Sequence, residues 1–168
     1  SISRIDEERY VRLDRFTVRN LELVQSLGED GKSLLDVIDR TVSPMGARLL
    51  RRWLLFPLKD VTAINARLDI VEYFFRDTEM RDELARQLSV VGDLERLISK
   101  VAVGRISPRE VVQLRNSASA IEPVRRLCME SDLPALHTIG EQLNPCRGMI
   151  DRISAEIVDD APAALNRG

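Results

Sequence analysis

Hydrophobic positions follow two different spacings along this chain. Near the N-terminus the period is two: Val11 and Leu13 alternate with Arg12 and Asp14, and Leu21 and Leu23 alternate with Asn20 and Glu22. That pattern predicts two short extended pieces that pair around a turn at Asp14 to Thr17. Gly28-Glu29-Asp30-Gly31 then supplies a flexible turn, and an apolar helical stretch is expected from Ser33 to Ile38. The chain therefore divides into an extended opening segment, residues 1–30, and a helical bundle, residues 31–160.

Beyond residue 43 the spacing becomes helical and the punctuation dense. Ser43-Pro44 places a capping serine before a proline at the first helical position, where the missing N–H costs nothing. That helix should run to about Phe56, because Pro57 biases its predecessor away from helical angles. Asp60 can cap the next helix. There Val61, Ile64, Leu68, Val71 and Phe75 form one stripe that predicts the buried face, with Arg67 and Glu72 turned to water. A further helix is expected from Thr78 to Leu88. Asp93 should cap another, with Leu94, Leu97, Ile98 and Val101 inward and Gly104 as its stop.

The strongest local signal is Ser107-Pro108-Arg109-Glu110: a capping serine, proline at N1, and a glutamate at N3 able to bond back. Its helix should turn Val111, Leu114, Ala118 and Ile121 inward and break or kink at Pro123. Leu133–Leu143 and Pro145–Val158 complete the set, the second capped by Asn144, before Asp159-Asp160-Ala161-Pro162 reads as an exit loop. The expected fold class is all-α, a multi-helix bundle with a short extended element near the N-terminus.

Composition agrees with helices. Aromatic residues make up 4% of the 168 residues, so Leu, Ile, Val and Met must build the core. The net charge of −2 lacks the basic excess of an autonomous nucleic-acid-binding domain, which counts against strong DNA binding by this chain alone. Cys128 and Cys146 stand in no CxxC or Cys/His cluster and read as free thiols of a reducing, cytoplasmic protein. No apolar run approaches the roughly 20 residues a membrane helix needs. Ser1-Ile2-Ser3-Arg4 resembles neither a targeting peptide nor a natural initiator, which suggests a piece of a longer protein.

Candidate chemistry is sparse. His137 is the single histidine and has no neighbouring ligand spacing, so it reads as structural or solvated. No glycine-rich phosphate loop is present. The carboxylate pairs in Asp6-Glu7-Glu8 and Asp159-Asp160 read as solvated surface. Arg48, Arg51 and Arg52 share a helix face and suit phosphate or an acidic partner domain, or else Arg51 and Arg52 are solvated while Arg48 pairs with a carboxylate such as Asp39. Trp53, one turn after Leu49, is expected in the core rather than as a base-stacking platform. No catalytic, cofactor-binding or metal-ligating residue is assigned.

The order of motifs carries more information than any one of them. Leu13-Asp14-Arg15-Phe16-Thr17-Val18-Arg19-Asn20-Leu21-Glu22-Leu23 resembles the opening of the core domain of the MutS family of DNA mismatch repair proteins. The run from Gly31-Lys32-Ser33-Leu34-Leu35-Asp36 through Ser43-Pro44-Met45-Gly46-Ala47-Arg48-Leu49-Leu50-Arg51-Arg52-Trp53-Leu54 to Pro57 is similar to the stretch that follows it in that family. Arg67-Leu68-Asp69-Ile70-Val71-Glu72, Val91-Gly92-Asp93-Leu94-Glu95-Arg96 and Gly104-Arg105-Ile106-Ser107-Pro108-Arg109-Glu110 continue the resemblance in order.

The resemblance implies a partial core, or lever, domain over residues 1–168, ending before a clamp insertion. It implies a parent protein that also has a connector, a clamp and a DNA-dependent ATPase domain, works as a homodimer, and uses ATP and Mg in the ATPase part. The mismatch-reading Phe-x-Glu motif is absent, since Phe16 precedes Thr17-Val18, and no family catalytic residue maps here. The expected role is mechanical: packed helices, with Leu49, Trp53 and Phe56 as a stripe, link DNA binding to the ATPase. If the parts outside this chain cover some of its stripes, an apolar patch should be exposed. A MutS-like protein of recombination or another DNA transaction, and a stand-alone helical interaction module, are the other readings, with unrecognised acid chemistry last.

Overall fold

The computed structural model describes residues 9–163, so Asp6-Glu7-Glu8 and the start of the chain lie outside the described residues. Among the described residues there are ten helices and no strand beyond one isolated bridge. The chain forms two compact units. One takes in the chain up to Thr41 together with Gly46–Val71; the other takes in Val42–Met45 together with Glu72 onwards.

The first unit corrects the opening of the chain. The expected hairpin turn is a helix, α1 (Arg15–Asn20), because Asp14 is a better N-cap than turn residue: its carboxylate accepts the Thr17 N–H at 2.7 Å. The extended element exists, but its partner is different. Tyr10 bridges antiparallel to Leu58, with the Val11 N–H donating to Pro57 O at 2.7 Å. Tyr10 and Phe56 meet edge to face at 6.3 Å. After the Gly28–Gly31 turn, α2 (Leu34–Ile38) opens on a capping box formed by Ser33 and Asp36. It is followed by α3 (Pro44–Leu55), which stops before Pro57, and α4 (Val61–Arg76), whose first turn is capped by Asp60 through the Ala63 N–H at 2.7 Å.

In the second unit α5 (Thr78–Ser89) is capped by Asp77, so Thr78 is its first helical residue, not its cap. Asp93 caps α6 (Leu94–Ala102). Gly104 ends it in a left-handed conformation (φ 65°), with the Gly104 N–H reaching Val101 O and the Arg105 N–H reaching Lys100 O. This pair of bonds is the Schellman motif, and a Cβ at Gly104 would strain it. Only Leu97 of the expected α6 face is fully buried, at 3% exposure; Ile98 and Val101 are exposed.

The Ser107 capping box forms as expected and starts α7 (Pro108–Ser119). Val112, Leu114 and Ala118 are buried; Val111 and Ile121 are half-buried. The break comes at Ala120, before the proline, and α8 (Ile121–Glu130) starts immediately. Pro123 cannot donate to Ser119 O and its ring crowds that carbonyl, so one helix becomes two. Pro123 then sits in the first turn of α8, where its N–H is not needed. α9 (Pro134–Gln142) and α10 (Arg147–Glu156) follow. Asn144 does not cap α10 as expected: its side chain bonds the Cys146 N–H at 2.9 Å, and left-handed Cys146 (φ 53°) leads into the helix two residues later than Pro145.

Helix α7 touches α6, α8 and α10, α5 lies on α8, and α8 packs along α9. Buried Ser117 is satisfied by the Gly92 N–H at 3.0 Å. At Gly140 the α8–α9 approach leaves no room: a Cβ there would lie 2.9 Å from Met129 Sδ and 3.0 Å from Cys128 Cβ. Met129 can swing away; the Cys128 Cβ is fixed to the backbone of α8. Gly140→Ala should therefore lose about 1 kcal/mol in urea unfolding, as overpacking outweighs the gain in helix propensity. An unchanged or higher midpoint would show that the two helices have slack.

Glu110 carries a second test. Its carboxylate bonds the Ser107 N–H and pairs with Lys100 of α6. The Lys100 bond and the Ser107 backbone hold its pKa at about 2, below the ordinary 4.5. A depressed pKa adds stability that is full above 4.5 and disappears as pH falls through that range towards about 2. Glu110→Gln should thus be less stable than the parent at neutral pH, and the gap in thermal midpoint should close with acidification. A gap independent of pH would remove charge from the explanation.

Candidate interaction surface

The residues considered as candidate chemistry lie on helices and loops of both units. His137 faces Glu141 one turn on, at 3.6 Å, on an open helix face. Asp39 spends its carboxylate on Thr41, bonding the N–H at 2.9 Å and the hydroxyl at 2.7 Å. Arg51 and Arg52 are exposed. Asp159 pairs with Arg115 at 2.7 Å. Cys128 and Cys146 are free thiols; burial pushes the Cys128 thiol above its ordinary pKa and away from reactivity. Among the described residues no cluster of three or more His, Cys, Asp or Glu is placed to hold a metal ion, and no helix is long and apolar enough to cross a membrane.

What the geometry does build is a surface in the first unit, and two expectations are corrected there. Trp53 is 40% exposed, and Leu49 one turn before it is also exposed, so neither is core. Arg67 does not point into water: its guanidinium lies over the indole ring, 3.7 Å from the centroid. At that distance the cation–π attraction is worth about 0.5–1 kcal/mol and holds two long side chains flat.

The stripe on α4 is displaced as well, with only Ile64 of the expected face half-covered. Val61, Leu68, Val71 and Phe75 are exposed, Val71 at 63%, while Ile64, Arg67, Ile70 and Phe74 are half-covered. The covered face is rotated by about one residue, or 100°, from the expected one. Each face by itself satisfies helical periodicity, because α4 carries apolar residues on both. A helix apolar on two sides is normally covered on two sides. Periodicity could find both stripes but could not rank which of them this chain covers. The Trp53–Arg67 pair, a contact between α3 and α4, favours the face that bears Arg67.

Comparison with known proteins places this surface in context. A family model for MutS domain III matches residues 16–168. The chain is 60% identical over its whole length to a DNA mismatch repair protein MutS of Parabacteroides distasonis, covering 19% of that protein. It is 58% identical over its whole length to the protein of the same description from Bacteroides thetaiotaomicron, covering 20% of it. A MutS of Flavobacterium psychrophilum is 46% identical over the same span. The chain thus spans about a fifth of the length of these relatives. The match over residues 16–168 and the identity to these relatives agree: this chain belongs to the MutS family, and the matched residues lie in its domain III.

Proposed function

We propose that this chain is a mechanical element of a DNA mismatch repair protein, passing conformational change between a DNA-binding part and an ATPase part elsewhere in the polypeptide. One observation carries the reading: the second apolar face of α4 (Val61, Leu68, Val71) is uncovered beside an exposed Trp53–Arg67 stack. Trp and Arg are the residue types that dominate binding energy at protein interfaces. An exposed apolar face of this kind marks a contact site. A helix held on one side by its own unit and on the other by a neighbouring domain is placed to relay a shift between them.

In this reading the whole protein is a cytoplasmic homodimer. It contacts mismatched DNA through parts outside this chain, and ATP with Mg binds in its ATPase domain. The adjoining clamp, connector and ATPase domains are the partners of this chain, whose own contribution is packing and positioning.

The test uses the full-length protein. Leu49→Ala and Trp53→Ala should leave the fold intact by circular dichroism and leave basal ATP turnover near the parent value. Stimulation of nucleotide exchange by mismatched DNA should fall towards the level without DNA. Variants that fold and retain full stimulation would refute the relay. The uncovered face also predicts behaviour of the 168-residue chain alone: light scattering should show association that rises with concentration and is reduced by Leu68→Asp with Val71→Asp. A monodisperse monomer at high concentration would count against an unsatisfied interface.

A further inference from the structure

The Gly28–Gly31 turn lies in a loop between α1 and α2 that is anchored at both ends. The carbonyls of Glu22 and Leu23 accept the Leu34 and Leu35 N–H groups, both at 2.9 Å. Ser33, where the loop ends, is fully buried. Between these anchors the Gly31 N–H closes the turn on Gly28 O at 3.2 Å. The turn imposes a glycine at position 31. A Cβ there would collide with Ser26 Oγ and lie 3.1 Å from Ser26 Cβ and 3.3 Å from Gly28 O. Ser26 is not free to swing aside, because its hydroxyl accepts the Gly28 N–H at 3.1 Å.

Asp30 precedes this glycine and is exposed. Among the described residues its carboxylate has no hydrogen bond or ion pair. Asp14, Asp60 and Asp77 instead hold backbone N–H groups at helix starts. Asp69 and Asp151 lie inside helices, where the nitrogen that follows them is bonded within the helix. Asp30 is also the only aspartate of the sequence followed by glycine, and no asparagine is. An unoccupied carboxyl, a neighbour without a side chain and an exposed turn therefore meet at one peptide bond.

We propose that Asp30–Gly31 is a modification site, at which aspartate converts spontaneously to isoaspartate. The Gly31 nitrogen attacks Asp30 Cγ: an N–Cγ bond forms, and the N–H proton leaves with the carboxyl hydroxyl as water. The product is a five-membered succinimide. Glycine favours this step on two counts, since no side chain shields its nitrogen and it reaches backbone angles closed to other residues. The bond that must open first is the turn bond from Gly31 to Gly28, which is long and lies in solvent. Water then adds to one of the two ring carbonyls. Addition at Cγ breaks the N–Cγ bond and restores aspartate. Addition at the main-chain carbonyl breaks the original peptide bond and leaves the chain running through Cγ, which is isoaspartate. One water leaves and one enters, so no oxidant, reductant or cofactor takes part. Mass and charge are unchanged, but the backbone gains a methylene between Asp30 and Gly31. That insertion falls where the loop has little slack, against Ser26 and two residues before the Ser33–Asp36 capping box. Isomerisation therefore loosens the start of α2. The site is independent of the relay, which the Leu49 and Trp53 variants read separately.

Ageing the full-length protein in neutral buffer made with heavy-oxygen water tests this. After digestion in ordinary water, the tryptic peptide Asn20–Lys32 should contain isoaspartate at residue 30 and retain one solvent oxygen. Electron-transfer fragmentation distinguishes it from aspartate of equal mass. Its yield should exceed severalfold that at Asp132 and Asp160, which are also exposed outside helices but precede Leu133 and Ala161. Asp30→Glu should remove the product, because a six-membered ring closes far more slowly. Asp30→Asn should raise it severalfold, because a neutral amide is more open to attack than a carboxylate and ammonia leaves in place of water. Both variants alter a side chain without a partner, so both should keep the parent circular dichroism. In the isomerised fraction, separated by chromatography, hydrogen exchange at the Leu34 and Leu35 amides should be faster than in the parent. Isoaspartate no more abundant at residue 30 than at Asp132, a product without solvent oxygen, or a yield unchanged in either variant would overturn the proposal. Unchanged exchange at Leu34 and Leu35 would overturn its effect on α2.

Discussion

Glu110 has to satisfy two demands with one carboxylate. It must close the capping box with Ser107, so that α7 begins at Pro108, and it must meet the ammonium of Lys100 from the last turn of α6. The second demand is met only because Gly104 turns the chain sharply between the two helices. Helix α7 is then the element against which α6, α8 and α10 are all placed. A slip of one residue in its start would rotate Val112, Leu114 and Ala118 by about 100° and take the buried face out of register with all three neighbours. Local hydrogen bonding at one helix end thus sets the packing of the larger unit.

This explains which parts of the fold could be read in advance. Caps and stops are local in sequence, so Asp60, Asp93, Gly104 and Ser107 declared themselves through residue type and spacing alone. Orientation is not local. The expected faces of α4 and α6 hold only in part, at Ile64, Leu94 and Leu97, because coverage depends on what packs against them: Leu68 and Ile98 satisfy the helical period and are nevertheless exposed. Trp53 failed for the same reason, since its partner is Arg67, fourteen residues away, and a charged residue is a poor guess for the neighbour of an indole. The hairpin failed because period-two alternation over four residues is weak beside the capping preference of a single aspartate. Left-handed Glu22 and Cys146 had no signal, being non-glycine residues held by side-chain bonds that form only once their loops are folded.

The same distinction separates what belongs to this chain from what belongs to its surroundings. The caps of α1, α2, α4, α5, α6 and α7 are formed by side chains within it. Apolar coverage is not complete: large hydrophobic side chains stand exposed on α2, α3, α4 and α6. The chain belongs to the MutS family, and its relatives are about five times as long.

The turn after α10 has a consequence of a different kind. The Arg109 N–H donates to Pro162 O at 3.3 Å, Arg115 holds Asp159, and Ala161 is buried, so the chain returns to the helix it left some fifty residues earlier. Helices α7, α8, α9 and α10 thereby form a closed circuit, each link of which confines the others. Closing a loop of that length costs about 3.5 kcal/mol of chain entropy on the logarithmic estimate. That cost is met once, when the ring closes, and returned once, when any link opens. The four helices should therefore gain and lose their order together, as one foldon, and the circuit rather than the single helix is the smallest piece of this unit that can be called folded.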